Sequence, residues 1–539
     1  MDVLLPDMFP WRTTDESYLG VSLPHELGGT RPPYGRYSGV YGHVCDPEAA
    51  LSHLGPQLKT ETIAGRRLEP GEHPITVPAG CALPVLALAA TDLAMRTGDT
   101  GLGSVPLPPR RWRHLRFDDG FDGHARISGP VVVGDPLPIG PRRPSPGSAA
   151  RPLVLLIFID GLSQAMLTAA GPQSLMPRVC EYFSTGLTFT NCYATGEWTL
   201  TNVASVFTGR YTSGHNMFHP RRPMILGPQP ILSEHMKAAG YTCVSIGANW
   251  RATPAYGYAR GFDRTVYQKG MSGAQVIADL IDQLAVLGEQ PVFAYASFMD
   301  IHWKCEDVLP DISVQLDKSL ATQLREPPEI GLTPIYQGGY DEENIEAYLA
   351  QVRRLDRTLG VLFDYLNECH PESTVVLFAD HGQSFNSRFE YTWELADARL
   401  RVPLMVRGPA VAAGRPDEFV ELVDVGRILT AVSAVAAPTD HADGRLPAWL
   451  GGRARQYAYA ESRYPGRLFR AAVTERDRKY LLTSAGRIDD DGMFDLGEPE
   501  LLAYRPRSEE CALDRLPWET RYTDLIIERS RHWMRDRRT

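Results

Sequence analysis

An α/β fold with helices on both faces of a central sheet is predicted by three features of this 539-residue chain. Short, continuous apolar runs recur, as expected for strands buried on both faces. Segments between them, such as GAQVIADLIDQLAVL, carry apolar residues at helical spacing. Strand and helix alternate along the chain, which is typical of a sheet covered on both sides. The predicted strands are LVLLIFID (153–160), TCVSIGAN (242–249), VFAYASFMD (292–300), TVVLFADHG (374–382) and VPLMVRG (402–408).

Changes in composition divide the chain into three regions. Residues 1–150 are rich in glycine and proline, with strand-like pieces such as HPITVPAG, and predict a β-rich accessory region. The segment PLPIGPRRPSPGSAARP disfavours both helix and central strand, so it predicts a linker and a boundary near residue 150. The α/β pattern fills residues 151–450. Residues 451–539, with strand-like RKYLLTSAG and a closing helix, predict a small antiparallel subdomain that completes the catalytic fold.

Charge and hydropathy exclude several classes of function. With 55 Lys and Arg against 65 Asp and Glu, the net charge of −10 leaves no basic surplus for nucleic-acid phosphates. The N-terminus lacks the pattern of a signal peptide, and no run of about 18 apolar residues predicts a membrane span. We therefore expect a cytoplasmic protein whose eight scattered cysteines are reduced.

Acidic residues and histidines cluster at the ends of three predicted strands. Asp160 ends the first, Asp300 and His302 follow the third, and Asp380 and His381 follow the fourth. Function in open α/β sheets gathers at the carboxyl ends of strands. An isolated Asp-Gly such as 160–161 is equally consistent with a turn or a helix cap. Adjacent Asp and His at 380–381 can both reach one divalent ion.

Thr199 stands where a predicted helix begins, in TGEWTLTNVASVFTGRYTSGH. It can serve as the helix N-cap. It can also act as a nucleophile, because a helix N-terminus favours a bound phosphate or sulfate and a nearby metal lowers the pKa of a hydroxyl. The two roles are compatible.

A series of segments resembles, in order, the sulfatase and alkaline phosphatase superfamily over roughly residues 152–515. They are LVLLIFID, NCYATGEWTLTNVASVFTGRYTSGH, ILSEHMKAAGYTCVSIGANW, GFDR, FMDIHW, LFADHGQ, RLRVPLMVRGP and DHADGRLPAWLGG. The resemblance implies an alkaline phosphatase-like mixed sheet. Counted back from FTGR, the position of the sulfatase nucleophile is Thr199, with Thr201 and Val203 where the motif has Pro and Arg. Threonine cannot become formylglycine, so the chain resembles instead the phosphodiesterases and the lipoteichoic acid synthase-like phosphoglycerol transferases.

The resemblance also implies the residues of the site. The metal site would comprise Asp160, Thr199, Asp380 and His381, and the catalytic residues would be Thr199 and His302. The substrate site would comprise Asn249, Trp250, Arg251, Asp300 and His215. In these roles Arg251 would hold phosphate oxygens, Trp250 would form a wall, and His302 would assist the leaving oxygen. Glu394 is a further candidate close to the nucleophile.

These observations predict a metal-dependent hydrolase or transferase that acts on small-molecule phosphate esters through a phosphothreonine. One divalent ion (Zn, Mn, Mg or Ca) is favoured over two, because Asp300 and His302 have the wrong spacing for a second site and His441 is the only late histidine candidate. A sulfate- or phosphonate-ester hydrolase is the first alternative. A degenerate, non-catalytic binding protein is the second, since the usual Lys and His of the sulfatase pattern are missing. Substrate identity and the formation of a homo-oligomer stay open.

Overall fold

The structure is a computed structural model that describes most of the chain beyond residue 60. The described ranges are 37–38, 60–109, 112–117, 119–138, 153–219, 229–252, 256–258, 260–267, 271–287, 290–302, 342–383, 395–435, 442–506 and 516–535.

The described residues of the N-terminal region form short strands that pair antiparallel. They are β1 (Tyr37–Ser38), β2 (Thr60–Leu68), β3 (Gly71–Val77), β4 (Cys81–Ala87), β5 (Thr91–Thr97), β6 (Thr100–Leu107), β7 (Trp112–Phe117), β8 (Phe121–Ile127), β9 (Val131–Gly134) and β10 (Leu137–Pro138). Strands β3, β8, β5 and β6 form a separate four-stranded sheet in that order. The predicted β-rich character of this region is confirmed.

The central sheet is formed mainly by strands of residues 153–421. They are β11 (Leu153–Ile159), β12 (Leu187–Tyr193), β13 (Thr242–Gly247), β14 (Arg264–Tyr267), β15 (Val292–Phe298), β16 (Thr374–Ala379), β17 (Arg401–Arg407) and β18 (Val420–Glu421). Their order across the sheet is β14-β13-β15-β11-β16-β17-β12-β18. The five strands from β14 to β16 are parallel, whereas β17 is antiparallel to both of its neighbours. The sheet is therefore mixed, as predicted.

Continuous burial explains why these strands lack an alternating pattern. Every residue of β11, β13, β15 and β16 is buried, because helices cover both faces of the sheet. The parallel direction also places the carboxyl ends of these four strands at one edge. The residues that follow these four strands therefore lie along the same edge of the sheet.

The N-terminal region is joined to the central sheet through one long strand. The first residues of β2 pair antiparallel with β14, and its last residues pair antiparallel with β9. The sheet order consequently continues from β14 through β2 into the accessory strands, giving 14 strands in total. A composition change near residue 150 does not reveal this pairing, because it depends on residues about 200 positions apart.

The helices have the following bounds in the described residues. They are α1 (Gln164–Ala170), α2 (Pro172–Leu175), α3 (Pro177–Tyr182), α4 (Thr199–Thr208), α5 (Thr212–His215), α6 (Leu232–Ala238), α7 (Gly273–Leu287), α8 (Glu342–Cys369), α9 (Asp397–Leu400), α10 (Val425–Val432) and α11 (Thr520–Ser530). Short 3-10 turns occur at Phe183–Thr185, Trp250–Ala252, Leu422–Asp424, Ala448–Leu450 and Arg531–Trp533. Both α2 and α3 begin with proline, which is favoured there because the first helical amide needs no partner. Helix α8 packs against α3 and α7.

A second, four-stranded antiparallel sheet completes the C-terminal part. Its strands are β19 (Ala458–Ser462), β20 (Leu468–Thr474), β21 (Lys479–Arg487) and β22 (Glu500–Tyr504). The sheet has its own core, which includes Tyr459, Phe469 and Tyr480. This small antiparallel sheet is also as predicted.

Two other expectations bear on the described part of the chain. None of its helices has both the length and the apolarity that crossing a bilayer requires. Its cysteines are free thiols: Cys81, Cys180, Cys192, Cys243 and Cys369. The remaining three, Cys45, Cys305 and Cys511, lie outside the described residues.

Candidate active site

Two carboxylates and one imidazole meet at the carboxyl edge of the central sheet. Strands β11 and β16 are parallel neighbours with Ile159 opposite Ala379, so the residues that follow, Asp160 and Asp380, emerge side by side. His381 is next in the chain. The ligand atoms of Asp160, Asp380 and His381 lie within 4.8 Å of one another, and all three side chains are buried. The structure thus brings together three of the residues predicted to bind a metal.

The turn after β11 directs Asp160 into this cluster. Gly161 has φ +79°, and a Cβ at this position would lie 2.7 Å from the side-chain nitrogen Nε2 of Gln383. The Gly161 amide donates to Asp380 Oδ1 (3.1 Å), and its carbonyl accepts from the Tyr348 hydroxyl (3.0 Å). Any other residue at position 161 would be strained by the positive φ and would displace the Gln383 side chain.

Thr199 is the first residue of α4, and its hydroxyl donates to Asp160 Oδ2 at 3.2 Å. The interpretation of Thr199 as a helix cap is wrong. The cap position belongs to Trp198, which has extended geometry, and no side chain caps the helix. The Thr201 hydroxyl instead donates to the Trp198 carbonyl (2.9 Å). The Thr199 hydroxyl is consequently directed at the carboxylates and not at its own helix.

Asn249 and His302 approach Asp160 from the ends of β13 and β15. The side-chain nitrogen Nδ2 of Asn249 donates to Asp160 Oδ2 at 2.6 Å, and its side-chain oxygen Oδ1 accepts from the backbone amide of Arg251 at 2.8 Å. These two bonds determine which way the Asn249 amide faces. His302 Nε2 lies 3.7 Å from Asp160 Oδ1. Both residues therefore border the cluster; the strand-end pattern indicates His302, and only the family resemblance indicates Asn249.

The donor atoms of the cluster suit a divalent cation. His381 Nδ1 lies 3.0 Å from the Gly382 carbonyl, so a proton on Nδ1 leaves the Nε2 lone pair facing the carboxylates. Nε2 is 3.4 Å from Asp380 Oδ2 and 3.6 Å from Asp160 Oδ1. These two carboxylate oxygens are buried and have no hydrogen-bond partner. Buried, unpaired carboxylate oxygens are costly unless a cation neutralises them, so the residues fit a metal.

Burial shifts the pKa values of the same groups. It raises the pKa of Asp380 to about 6. Burial, and then repulsion from Asp380, raises the pKa of Asp160. Burial also lowers the pKa of His302 to about 4, and it lowers the pKa of His381 together with the nearby charge of Arg399. Both imidazoles are thus neutral at pH 7, the state in which a histidine can bind a metal.

Metal affinity is expected to increase as the pH rises through 6 and beyond. A cation needs ionised carboxylates, and below its pKa of about 6 Asp380 holds a proton that the cation must displace. The pKa of Asp160 is raised well above its ordinary value as well. The apparent Kd for zinc or manganese should therefore fall by at least about tenfold per pH unit below pH 6 and continue to fall above it until Asp160 is also ionised. Calorimetric titration between pH 5 and 8 measures this. A Kd that does not depend on pH would contradict the assignment.

The other predicted substrate residues lie at different distances from the cluster. The Arg251 guanidinium lies 5.0 Å from the Trp198 ring and donates to the Tyr256 hydroxyl at 3.3 Å, so Arg251 lies beside the residue that precedes Thr199. Trp250 belongs to a 3-10 turn, and its side chain is outside the described residues. Glu394 and His441 also lie outside them.

Asp300 and His215 face other partners. Asp300 Oδ1 accepts from the Gly273 amide (2.9 Å) at the start of α7, and this carboxylate is not part of the metal cluster. His215 Nε2 is 3.2 Å from Ser205 Oγ, and its Nδ1 accepts from the Met217 amide (3.0 Å). Both residues thus make structural contacts, and their substrate-binding roles stay predictions.

Sequence reasoning did not identify Arg399, a fully buried arginine in α9. Its guanidinium donates to the Glu197 carbonyl at 2.6 Å and lies 3.5 Å from His381 Nδ1. It comes from RLRVPLMVRGP, where arginine is so frequent that no single one stands out. Only the tertiary structure singles out this arginine.

The Sulfatase family model matches residues 152–432, which include every residue of the cluster. The chain belongs to the sulfatase family. The superfamily predicted from the sequence is thus confirmed. No curated protein matches the sequence.

The sulfatase-family fold is also found among solved structures. Two phosphonate monoester hydrolases have a TM-score of 0.51. The one from Agrobacterium radiobacter is 16% identical, covering 71% of this chain and 94% of its own, and the one from Silicibacter pomeroyi is 17% identical, covering 71% and 96%. An alkaline phosphatase superfamily protein from Vibrio parahaemolyticus has a TM-score of 0.50 at 16% identity, covering 72% and 89%. At such identities the likeness establishes the fold.

Proposed function

We propose that this sulfatase-family protein cleaves or transfers a phosphate ester through a covalent phosphothreonine at Thr199. A divalent cation would be held by Asp160, Asp380 and His381. The observation that carries the proposal is the hydrogen bond from Thr199 to Asp160, within a buried cluster in which Asp160 Oδ1 and Asp380 Oδ2 have no hydrogen-bond partner. Thr199 is the first residue of a ten-residue helix, and the N-terminus of a helix favours an anionic group.

Asp160, Asp380 and His381 would hold the cation beside the Thr199 hydroxyl. When bound, it would lower the pKa of the Thr199 hydroxyl and offset negative charge on the phosphoryl group. Carboxylate oxygens with one imidazole nitrogen suit zinc or manganese better than an all-oxygen ion such as calcium. The Asn249 amide donates to Asp160 Oδ2, which leaves Oδ1 of that carboxylate directed at His381.

The reaction would proceed in two displacements at phosphorus. In the first, the Thr199 hydroxyl loses its proton as its oxygen bonds to phosphorus and the bond to the ester oxygen breaks; His302, neutral at pH 7, would take up that proton and pass it to the leaving oxygen. In the second, water or an acceptor alcohol attacks phosphorus, the bond to Thr199 breaks, and Thr199 regains a proton from the attacking group. Arg251 would hold the phosphoryl oxygens, because a guanidinium matches their geometry.

Phosphonate and sulfate esters form the second candidate substrate class. Two of the similar folds are phosphonate monoester hydrolases, and the family itself bears the name sulfatase. A phosphonate ester would use the same threonine chemistry. A sulfate ester would need a metal-bound site of the same kind but would not leave a phosphorylated enzyme.

The proposal is tested by a substrate panel on metal-stripped protein. The panel contains the para-nitrophenyl esters of phosphate, phosphate diester, phenylphosphonate and sulfate, each with added zinc, manganese, magnesium or calcium. We expect turnover of a phosphate ester with zinc or manganese and its loss with a chelator. Turnover of the phenylphosphonate or sulfate ester alone would favour the second candidate. The absence of both turnover and metal binding would leave only a binding function.

An alkyl phosphate ester added to this panel tests His302 through the leaving group. The His302→Asn variant is expected to lower kcat by about 100-fold for an alkyl ester, whose leaving oxygen needs a proton. It should change kcat much less for a para-nitrophenyl ester, which leaves without one. Equal losses with both esters would assign His302 to binding or structure.

A further inference from the structure

We propose that Arg399 is a positioning residue that holds the loop before Thr199 against the strand end that carries His381. The inference rests on the proposed function for its catalytic consequence. Its structural part can be tested independently. The residues concerned, called here the Arg399 clamp, are Glu197, Leu395, Arg399 and Lys479.

Arg399 connects two parts of the site that are distant in sequence. One terminal nitrogen donates to the carbonyl of Glu197, two residues before Thr199, at 2.6 Å, and lies 3.5 Å from His381 Nδ1. The other donates to Gln383 Oε1 at 3.5 Å. The Arg399 carbonyl also accepts from the Gly382 amide at 2.7 Å. The nucleophile loop and the metal-binding strand end are therefore joined through one side chain.

The side chain of Glu197 bonds back to the segment that carries Arg399. Its Oε1 accepts from the Leu395 amide at 2.6 Å, so the Glu197 residue receives a bond from each end of the segment 395–399. Both Glu197 and Arg399 are about 1% exposed. Burial raises the pKa of the Glu197 carboxyl and the charge of Arg399 lowers it, so loss of Arg399 would remove part of what stabilises this buried carboxylate.

Lys479 holds the same segment from the C-terminal sheet. Leu395 has φ +54°, a left-handed conformation that a leucine adopts only when its surroundings enforce it. The Lys479 ammonium donates to the Leu395 carbonyl at 2.5 Å and to the Asp397 carboxylate. Lys479 is fully buried on β21. The C-terminal sheet thus stabilises the backbone from which Arg399 extends.

Direct action of Arg399 on the substrate is disfavoured by its position. Its side chain is about 1% exposed, and both terminal nitrogens are engaged by protein groups. Arg399 must therefore act through the residues it contacts. Misplacing a nucleophile by about 1 Å can cost about 100-fold in rate, so a clamp of this kind would affect kcat more than substrate binding.

The test compares Arg399→Gln and Arg399→Lys with a control, Arg407→Gln. Arg407 lies at the far end of β17, where its guanidinium donates to Asn367 (2.8 Å). For Arg399→Gln we expect kcat about 100-fold lower, with KM and the metal Kd changed less than about threefold. The lysine variant should recover about tenfold, and Lys479→Met should lose about tenfold. Unchanged kcat in the folded protein, with only a lower Tm, would overturn the proposal.

Hydrogen exchange of the segment 193–200, measured by mass spectrometry, needs no substrate. Arg399→Gln should increase exchange in this segment, and Arg407→Gln should not. Unchanged exchange would overturn the clamp even if the wild type is active. Increased exchange in a protein that cleaves no ester would retain the clamp and reject the proposed function.

Discussion

Replacing Thr199 with alanine is expected to lower kcat for the phosphate ester by on the order of 10⁴-fold. The alanine removes the only group of the first displacement that bonds to phosphorus, whereas the helix start and the carboxylate cluster stay in place. Metal affinity should fall much less, because Asp160, Asp380 and His381 still provide three ligands. Steady-state kinetics and calorimetric metal titration measure the two effects separately.

Two further variants test whether the loss of turnover is specific to the Thr199 hydroxyl. Thr199→Ser should retain measurable turnover and form a phosphorylated protein detectable by mass spectrometry. Thr201→Val, a change two residues along the same helix that removes the bond to the Trp198 carbonyl, should alter kcat by less than about tenfold. If Thr199→Ala hydrolyses the ester as fast as the wild type, the nucleophile is not Thr199.

Replacing Asp160 with asparagine is expected to weaken metal binding by at least about 100-fold and to abolish turnover. The same change should raise the Tm of the metal-free protein at pH 8. Asp160 and Asp380 are buried carboxylates that repel each other when no cation is present, and an amide removes one of the two charges. Added metal should then no longer raise the Tm. Thermal unfolding with and without zinc measures both effects.

Asp356→Asn is the matched control for this second prediction. Asp356 is also a buried carboxylate, but it accepts from the Arg178 and Val179 amides at the start of α3 (3.2 and 2.9 Å). Its amide variant should lower the Tm by losing these bonds and should leave metal affinity unchanged. A drop in Tm for Asp160→Asn like that for Asp356→Asn would assign Asp160 a structural role.

Much of the site could be predicted from local sequence because strand ends carry their own signal. Continuous apolar runs identify buried strands, and the polar residue that ends each run marks the edge of the sheet. Asp160, Asp380 and His381 were predicted in this way, and the structure brings them within 4.8 Å. His302 follows the same logic, since it lies just beyond β15, whereas only the family resemblance indicates Asn249.

Thr199 shows where a local pattern is ambiguous. A threonine at a helix start fits both a cap and a nucleophile, and the sequence alone keeps both. Backbone geometry decides, because the cap is Trp198 and the threonine hydroxyl faces Asp160. A shift of one residue at a helix boundary changes the direction of a side chain by about 100°. A boundary predicted from sequence is not accurate to one residue, so it does not determine that direction.

By itself, the sequence determined the α/β architecture, the family, and the strand-end residues of the candidate metal site. The architecture and the strand ends depend on patterns within about ten residues, where periodicity and turn chemistry operate, and the family depends on the order of such short segments along the chain. The tertiary structure alone decided the pairing of β2 with β14 and the contacts of Arg399. Arg399 is 202 positions from the Glu197 carbonyl that it binds, and Lys479 is 84 positions from that of Leu395. Such contacts depend on how the whole chain closes, and no local pattern encodes them.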